Sequence, residues 1–421
     1  MKEYYMLLGL NQKEVKIMNV KENNGIIEVS IENKNNKVRC PKCNKFTSNV
    51  HGKNKPIRSK YLKSCEQRII LIINKKRYHC YNCGNIFTED LNINTENGSI
   101  SKSLLIKIRK ELLKYNQNFK SIAEECGVSS QTVINELKKI SEMVPERIIN
   151  LPRVISFDEF KADTNEGKYA FVLNDPIHKR VLDILPSRKK EYLLKYFTYC
   201  NNRHSVEFVI SDMYEPYLLV TKIMFPKAKY VVDRFHYITY IMDALDKIRI
   251  KLQKGYDIKS KEYKILKNKK NVSLLRKYSN DIDWWVLVKR YKNGHMVDML
   301  PSELLNKILS ISPDLKKGYN LKEEFLDIIN HATYETADEQ LIVWISKCVA
   351  SEIEEFIEAA GTISRWREYI VNSFIDEKYS NGFTEGINNK IKVIKRNGFG
   401  YRSFKLLRAR ILYIFNKKLK G

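Results

Sequence analysis

The stretch "VISFDEFK", residues 154–161, decides the fold. A strand-like run ends in two adjacent carboxylates, Asp158 and Glu159, in a chain with 75 Lys and Arg against 49 Asp and Glu. Neighbouring strand residues point to opposite faces, so the two carboxylates cannot share one task. Asp158 is the candidate ligand at the strand end. Glu159 is structural or supports the site from behind, and it is the alternative ligand if the strand is turned over.

Downstream, "YAFVLND" and "RVLDILP" read as two further strands joined by "NDPIHK", and "RKKEYLLKYFTYC" as a helix. "VEFVISD" is a fourth strand ending at Asp212, "MYEPYLLVTKIMF" a helix stopped by Pro226, and "AKYVVD" a fifth strand ending at Asp233. A meander of three strands, then helix, strand, helix, strand, is the order of a ribonuclease-H-like sheet. In that sheet the first and fourth strands are neighbours, so Asp158 and Asp212 meet at one edge. Asp233 lies one strand further out. With His236 three residues on, it reads as an N-cap carboxylate in a supporting role.

Two carboxylates that close repel unless protonated or bridged by cations. Hard divalent ions, Mg2+ or Mn2+, take such oxygen ligands and bind phosphate oxygens as well. Two ions about 4 Å apart stabilise the attacking and leaving oxygens of a phosphoryl displacement. Glu385 is the candidate third carboxylate: it is the sole acidic residue from 378 to 421, and on a helix it shares a face with Asn389 and Lys392. Residues 237–378 read as an almost wholly helical insertion, with Trp284 and Trp285 read as core residues and stacking on bases as the alternative.

The net charge is +26, and it is unevenly placed. Residues 1–120 carry 24 basic and 10 acidic side chains, residues 385–421 eleven and one. Two basic ends around a near-neutral middle imply a long polyanion gripped in two places, hence double-stranded DNA. Of eight cysteines, four form the pairs Cys40/Cys43 and Cys80/Cys83. In a reducing compartment that spacing reads as a four-thiolate Zn2+ site, with His79 as an alternative ligand. Cys65, Cys126, Cys200 and Cys348 stand alone as core residues.

"NFKSIAEECGVSSQTVINELKKI", residues 118–140, has a short helix, a Gly turn at Gly127 and a second helix capped by Ser129 or Ser130. That is a helix-turn-helix pattern, with Ser130, Gln131, Thr132 and Asn135 facing a DNA groove. Lys392, Lys395, Arg396 and Arg402 are the basic C-terminal candidates for phosphate contact. No apolar run is long enough for a membrane span, and the start lacks a signal-peptide pattern, so a cytoplasmic, nucleoid-associated protein is expected.

The expected organisation is α+β and multidomain. A zinc-binding domain covers 1–95, a helix-turn-helix 100–145 and the first part of the ribonuclease-H-like core 150–236. The helical insertion covers 237–378, and the core's last helices with a basic tail 379–421.

The order of zinc module, helix-turn-helix, "ISFDEFK", "SDMYEPY", "VVDRFH" and "SNGFTEGINNKIKVIKRNGFGYRSF" resembles the ISL-three family of bacterial insertion-sequence transposases over nearly the whole chain. The resemblance implies a DDE triad of Asp158, Asp212 and Glu385 with Mg2+ or Mn2+, supported by "Asp233-Arg-Phe-His236". It implies binding to terminal inverted repeats and target DNA, cleavage and strand transfer, and a homo-oligomer assembled on DNA. An inactive transposase-derived regulator and a structure-specific nuclease of the same fold are the alternatives.

Overall fold

The computed structural model describes residues 2–64, 66–95, 98–292, 295–376, 378–379, 382–398 and 401–416, which leaves Cys65 outside the described residues. The chain divides into two compact units, residues 1–145 with 390–421, and residues 146–389.

The first unit opens with helix α1 (Lys2–Leu8), where the sequence pattern suggests only strands. Strands β1 (Val15–Asn23) and β2 (Ile26–Asn33) form a hairpin. Asn24 and Gly25 turn it with φ of 50° and 73°, the double left-handed conformation that matches strand twist. Five short strands and one longer one follow: β3 (Val38–Arg39), β4 (Phe46–Thr47), β5 (Val50–Lys53), β6 (Ile57–Lys60), β7 (Arg68–Asn74) and β8 (Lys76–His79), with β9 (Ile86–Thr88) after the second cysteine pair. Strands β6 and β7 leave the cysteine module and join the hairpin in the order β1-β2-β7-β6. This explains the long gap between the cysteine pairs. Ile69, Leu71 and Ile73 alternate inward from β7 onto Val15, Ile17, Val29 and Ile31.

Helix α2 (Lys102–Leu112) precedes α3 (Phe119–Cys126), which Asn118 opens with a reciprocal capping box with Ser121. Gly127 ends α3 at φ 67°, a conformation that costs glycine nothing. The Ser129 side chain caps α4 (Ser130–Met143) through the Thr132 N–H.

The second unit is built on a five-stranded mixed sheet of order β12-β11-β10-β13-β14. Its members are β10 (Val154–Thr164), β11 (Gly167–Asp175), β12 (Arg180–Leu185), β13 (Phe208–Ser211) and β14 (Lys229–Val232). The first three form an antiparallel meander, and β13 and β14 add in parallel on the other side of β10. Strand β10 does not end at Asp158. It runs six residues further to Thr164 because its antiparallel partner β11 outlasts its parallel partner β13. Burial follows: residues 154–157 are buried on both faces, and beyond them Phe160 and Ala162 alternate with exposed Lys161 and Asp163.

Helices α5 (Lys190–Thr198) and α6 (Glu215–Met224) are the crossovers. After β14 come α7 (Arg234–Gly255), α8 (Lys261–Lys267) and α9 (Lys269–Arg276), then α10 (Pro301–Leu309), α11 (Pro313–His331), α12 (Ala337–Ala350) and α13 (Glu354–Val371). One continuous apolar core runs from Ile155 and Phe157 of the sheet to Trp344 and Phe356 of these helices. At Gly318 a Cβ would come within 2.7 Å of Ile248, so α11 meets α7 at a distance only glycine permits. The helical stretch also contains a hairpin, β15 (Val288–Lys292) with β16 (His295–Met299), which was not expected. Trp284 packs against the core, but Trp285 is 87% exposed, contrary to its expected core role.

Helices α14 (Gly382–Asn397) and α15 (Phe404–Phe415) close the chain, and the division between units falls within α14. The expected basic tail is in large part a packed helix. Phe404, Leu407, Ile411 and Leu412 of α15 are buried, α15 packs on α4, and buried Arg410 donates to the Lys114 carbonyl at 3.0 Å. Truncation at residue 400 would therefore remove core from the first unit and not merely charge.

Candidate active site

The two cysteine pairs sit on matching turns. The N–H groups of Asn44 and Gly84 donate to the carbonyls of Cys40 and Cys80, both at 2.8 Å. Asn44 and Gly84 are both left-handed, at φ 59° and 70°. Cys40 and Cys83 sulfurs lie 3.6 Å apart, Cys43 and Cys80 sulfurs 3.5 Å, and all four lie within 4.8 Å of one another. Thiolates on a tetrahedral zinc at ~2.3 Å stand about 3.8 Å apart, so the four sulfurs fit a closed structural zinc site. Burial works against the Cys40 thiolate, but N–H groups of Cys43 and Lys42 bring it down to about 6, while burial and the neighbouring sulfurs push the Cys83 thiol up. His79 stays outside the cluster, its ring edge-on to Tyr81 at 4.9 Å. Cys126, Cys200 and Cys348 are buried.

In the second unit the sheet decides which carboxylates meet. Strand β10 pairs with β13 up to Ser156 opposite Ile210, and β13 with β14 up to Ser211 opposite Val232. Continuing both registers puts Asp158, Asp212 and Asp233 side by side on one face, with Asp212 in the middle. Adjacent strands stand about 4.8 Å apart, so Asp158 neighbours Asp212 and is about twice as far from Asp233. Glu159 faces the other side. Its carboxylate accepts from the Tyr217 hydroxyl at 2.6 Å and pairs with Arg188, which also covers the Tyr169 ring.

His236, in the first turn of α7, reaches back so that its Nε2 lies 2.6 Å from Asp212 Oδ1 and 3.9 Å from Asp233. Asp233 holds the N-cap position of α7, but its side chain makes no capping bond to the helix. It is 4% exposed, more deeply buried than a ligand open to substrate would be.

Burial, and after it the Asp212 charge, push the Asp158 carboxyl up to about 7. Burial opposes the His236 cation, yet the Asp212 hydrogen bond and the charges of Asp212, Asp233 and Asp158 hold its pKa above the usual value. The site is thus a face of excess negative potential made of hard oxygen donors, and it fits a divalent cation.

Asn388 of α14, which the sequence pattern did not single out, is buried here, its Nδ2 donating to Asp158 Oδ2 at 2.6 Å. The signal was present in Ile387, Ile391 and Ile394, an apolar stripe that Asn388 borders and that sets the inward face of α14. Glu385 and Asn389 are exposed on α14, Glu385 one turn before Asn388. The structure therefore gathers Asp158, Asp212, His236 and Asn388, and leaves Glu385 at the margin. Among the described residues, the four cysteines are the group of three or more Cys, His, Asp or Glu side chains that converges on an ion-sized space.

Asp158 and His236 both hold protons more tightly than in an unfolded chain, so their contribution to stability is present at low pH and lost as pH rises through their folded values. The thermal midpoint therefore falls as pH is raised from about 5 to about 8. Asp158→Asn flattens that fall. An equal slope in this variant would place the titration elsewhere.

On the surface of the first unit, Gln131 and Asn135 are exposed and joined by a 2.8 Å hydrogen bond, while Ser130 and Thr132 are half-buried. Lys392, Arg396 and Arg402 are exposed, and Lys395 is half-buried. Among the described residues no helix is long and apolar enough to cross a membrane.

A family model described as "Transposase" matches residues 155–411, and one described as the zinc-finger of transposase IS204/IS1001/IS1096/IS1165 matches residues 36–83. The chain is 24% identical to the transposase for insertion sequence element IS1001 of Bordetella parapertussis, over 80% of this chain and 79% of that protein. It is 31% identical to the transposase for IS1557 of Mycobacterium tuberculosis (strain ATCC 25618 / H37Rv), over 27% of this chain and 25% of that one. A Lactococcus lactis protein named as an ATP-dependent protease is 30% identical over 30% of this chain and 38% of its own length.

Proposed function

The chain belongs to the ISL-three (ISL3) family of transposases and is an insertion-sequence transposase, and on that premise we propose that residues 150–236, with the first part of α14 as far as Asn389, form a ribonuclease-H-like catalytic core of DDE type, while residues 390–421 pack in the first unit. The helices of 237–378 are read as its insertion. Asp158 and Asp212 hold Mg2+ or Mn2+, and Glu385 joins them when DNA is bound. The observation that carries this reading is the β10–β13 register, which when continued past Ser156 and Ile210 brings Asp158 opposite Asp212 just beyond the end of β13, where burial and the Asp212 charge push Asp158 up to about 7. Bound at these oxygens, a divalent ion supplies Lewis-acid stabilisation of the phosphoryl oxygens. His236 orients Asp212 through its Nε2 contact, and Asp233 stands behind His236. Tyr217 and Arg188 fix Glu159, which keeps the strand from turning over.

DNA is held by the first unit. The zinc module of 1–95 and the helix-turn-helix of 100–145 read the terminal inverted repeats, with Ser130, Gln131, Thr132 and Asn135 toward the major groove. Lys392, Lys395, Arg396 and Arg402 contact phosphates. Two ends and a target must be joined in one reaction, so the working form is a homo-oligomer on double-stranded DNA, in the cytoplasm with the nucleoid.

The test is incubation with labelled element ends and Mg2+, scored for strand-specific cleavage and for joined products. Cleavage without joining would reduce the activity to that of a nuclease, and neither would leave a DNA-binding regulator.

Salt separates the roles of the two groups of residues. Substituting Lys392, Arg396 or Arg402 by Ala lowers the salt slope of end binding by about 0.9 for each phosphate no longer neutralised, with sequence preference kept. Gln131→Ala and Asn135→Ala instead lower the preference for cognate ends by roughly 5- to 150-fold at nearly constant slope. Competition binding against unrelated duplex at several salt concentrations reads both.

A further inference from the structure

We propose that the Asn388 side-chain oxygen is a further ligand of the divalent ion held by Asp158 and Asp212. The inference rests on the reading above that those carboxylates hold the ion.

Asn388 is 8% exposed, and the two halves of its amide are treated differently. Nδ2 donates to Asp158 Oδ2 at 2.6 Å and approaches the Glu159 carbonyl at 3.5 Å. Oδ1 is buried without a hydrogen-bond partner. Buried side-chain acceptors are nearly always satisfied, and a bare one beside a carboxylate pair is placed to meet an ion held there.

A carboxylate oxygen that carries no proton only accepts, and the structure accordingly turns the nitrogen half of the amide toward Asp158 Oδ2. A cation at Asp158 inverts that preference, because it attracts the carbonyl oxygen and repels the N–H. The terminal torsion of Asn is soft and roughly two-fold, so the exchange needs no movement of α14. Amide oxygens are ordinary ligands of hard divalent ions. A neutral ligand also suits a face where Asp158 and Asp212 already repel, since it adds an oxygen without adding charge. Position on the helix supports this role: Ile387 and Ile391 anchor the inward stripe of α14 next to Asn388, whereas Glu385 is exposed.

The experiment is Mn2+ titration of the full-length, zinc-loaded protein, followed by the electron paramagnetic resonance of free Mn2+. The proteins are wild type, Asp158→Ala, Asn388→Leu and Asn388→Asp. Asn388→Leu keeps the shape and removes the oxygen, and its Kd for Mn2+ rises about tenfold or more. Asn388→Asp keeps an oxygen in place and binds at least as tightly as wild type. If Asn388 merely locks Asp158, removing its N–H frees the carboxylate, and Asn388→Leu binds Mn2+ as tightly as wild type or more so; that result overturns the proposal. Should the Leu variant not fold, weaker binding by Asn388→Asp overturns it, and equal or tighter binding supports it. Asp158→Ala separates the two levels. If it loses Mn2+ binding while Asn388→Leu does not, only this inference falls; if it binds as wild type does, the carboxylate site falls as well.

Discussion

Asp158→Asn reduces cleavage of element ends by roughly 10^3-fold or more, while end binding and zinc content stay at wild-type levels. The magnitude is that of removing one group that stabilises developing charge in a preorganised site. Asn keeps the volume and the hydrogen-bonding reach of Asp158 but cannot hold a divalent ion in the same way. Binding survives because Asp158 lies in the second unit's sheet, whereas the zinc ribbon and α4 lie in the first. The informative comparison is between Asp212→Asn and Asp233→Asn. Asp212 stands beside Asp158, part-exposed and 2.6 Å from His236, so its loss matches that of Asp158. Asp233 is buried and one strand further out, so its loss costs about 10- to 100-fold through His236. Single-turnover cleavage on pre-bound ends checks this, and a dead Asp233→Asn beside an active Asp212→Asn would reverse the assignment.

Cys80→Ser releases the zinc and unfolds the ribbon. Structural zinc contributes on the order of 10–16 kcal/mol to small sites of this kind, far more than a short-stranded module gains from its core. Strands β3, β4, β5, β8 and β9 have two to four residues each, and Phe46 and Tyr81 lie exposed on this module. The sheet β1-β2-β7-β6 has its own buried core, and it survives without metal. The expected outcome is thus partial: zinc falls from one to zero per chain by elemental analysis, and proteolysis cuts between residues 36 and 56. Specific end binding is lost with it. A variant that retains its zinc would show that the remaining thiols recruit another ligand, and His79 is the first to test.

The zinc ligands were legible in the sequence because each pair sits on one tight turn, and a turn is made by its own residues. The caps at Asn118 and Ser129 and the left-handed Gly127 are local in the same way. The strand runs of residues 154–232 were legible too, since both faces of their central parts are buried and the residues there are mostly apolar, with small Ser156 and Ser211 as exceptions.

Tertiary structure alone decided four other matters. The length of β10 past Asp158 is set by unequal partners, which its own residues do not reveal. Strands β6 and β7 look like part of the cysteine module, but β7 pairs with a hairpin strand some forty residues earlier (Ile26 opposite Arg68) and carries β6 with it, a pairing that local propensity cannot encode. The basic count of the last residues suggested a solvated tail, yet Arg408 and Arg410 sit among Leu407, Ile411 and Leu412 on a helix packed against α4. Charge is a sum over residues and does not record which way a helix is turned. The same holds for α14: Glu385, Asn388 and Asn389 all lie within two turns, and only the packing of Ile387, Ile391 and Ile394 turned Asn388 toward Asp158. What depends on neighbours along the chain was readable from the chain, and what depends on rotation and pairing between distant segments was fixed by burial of their apolar faces.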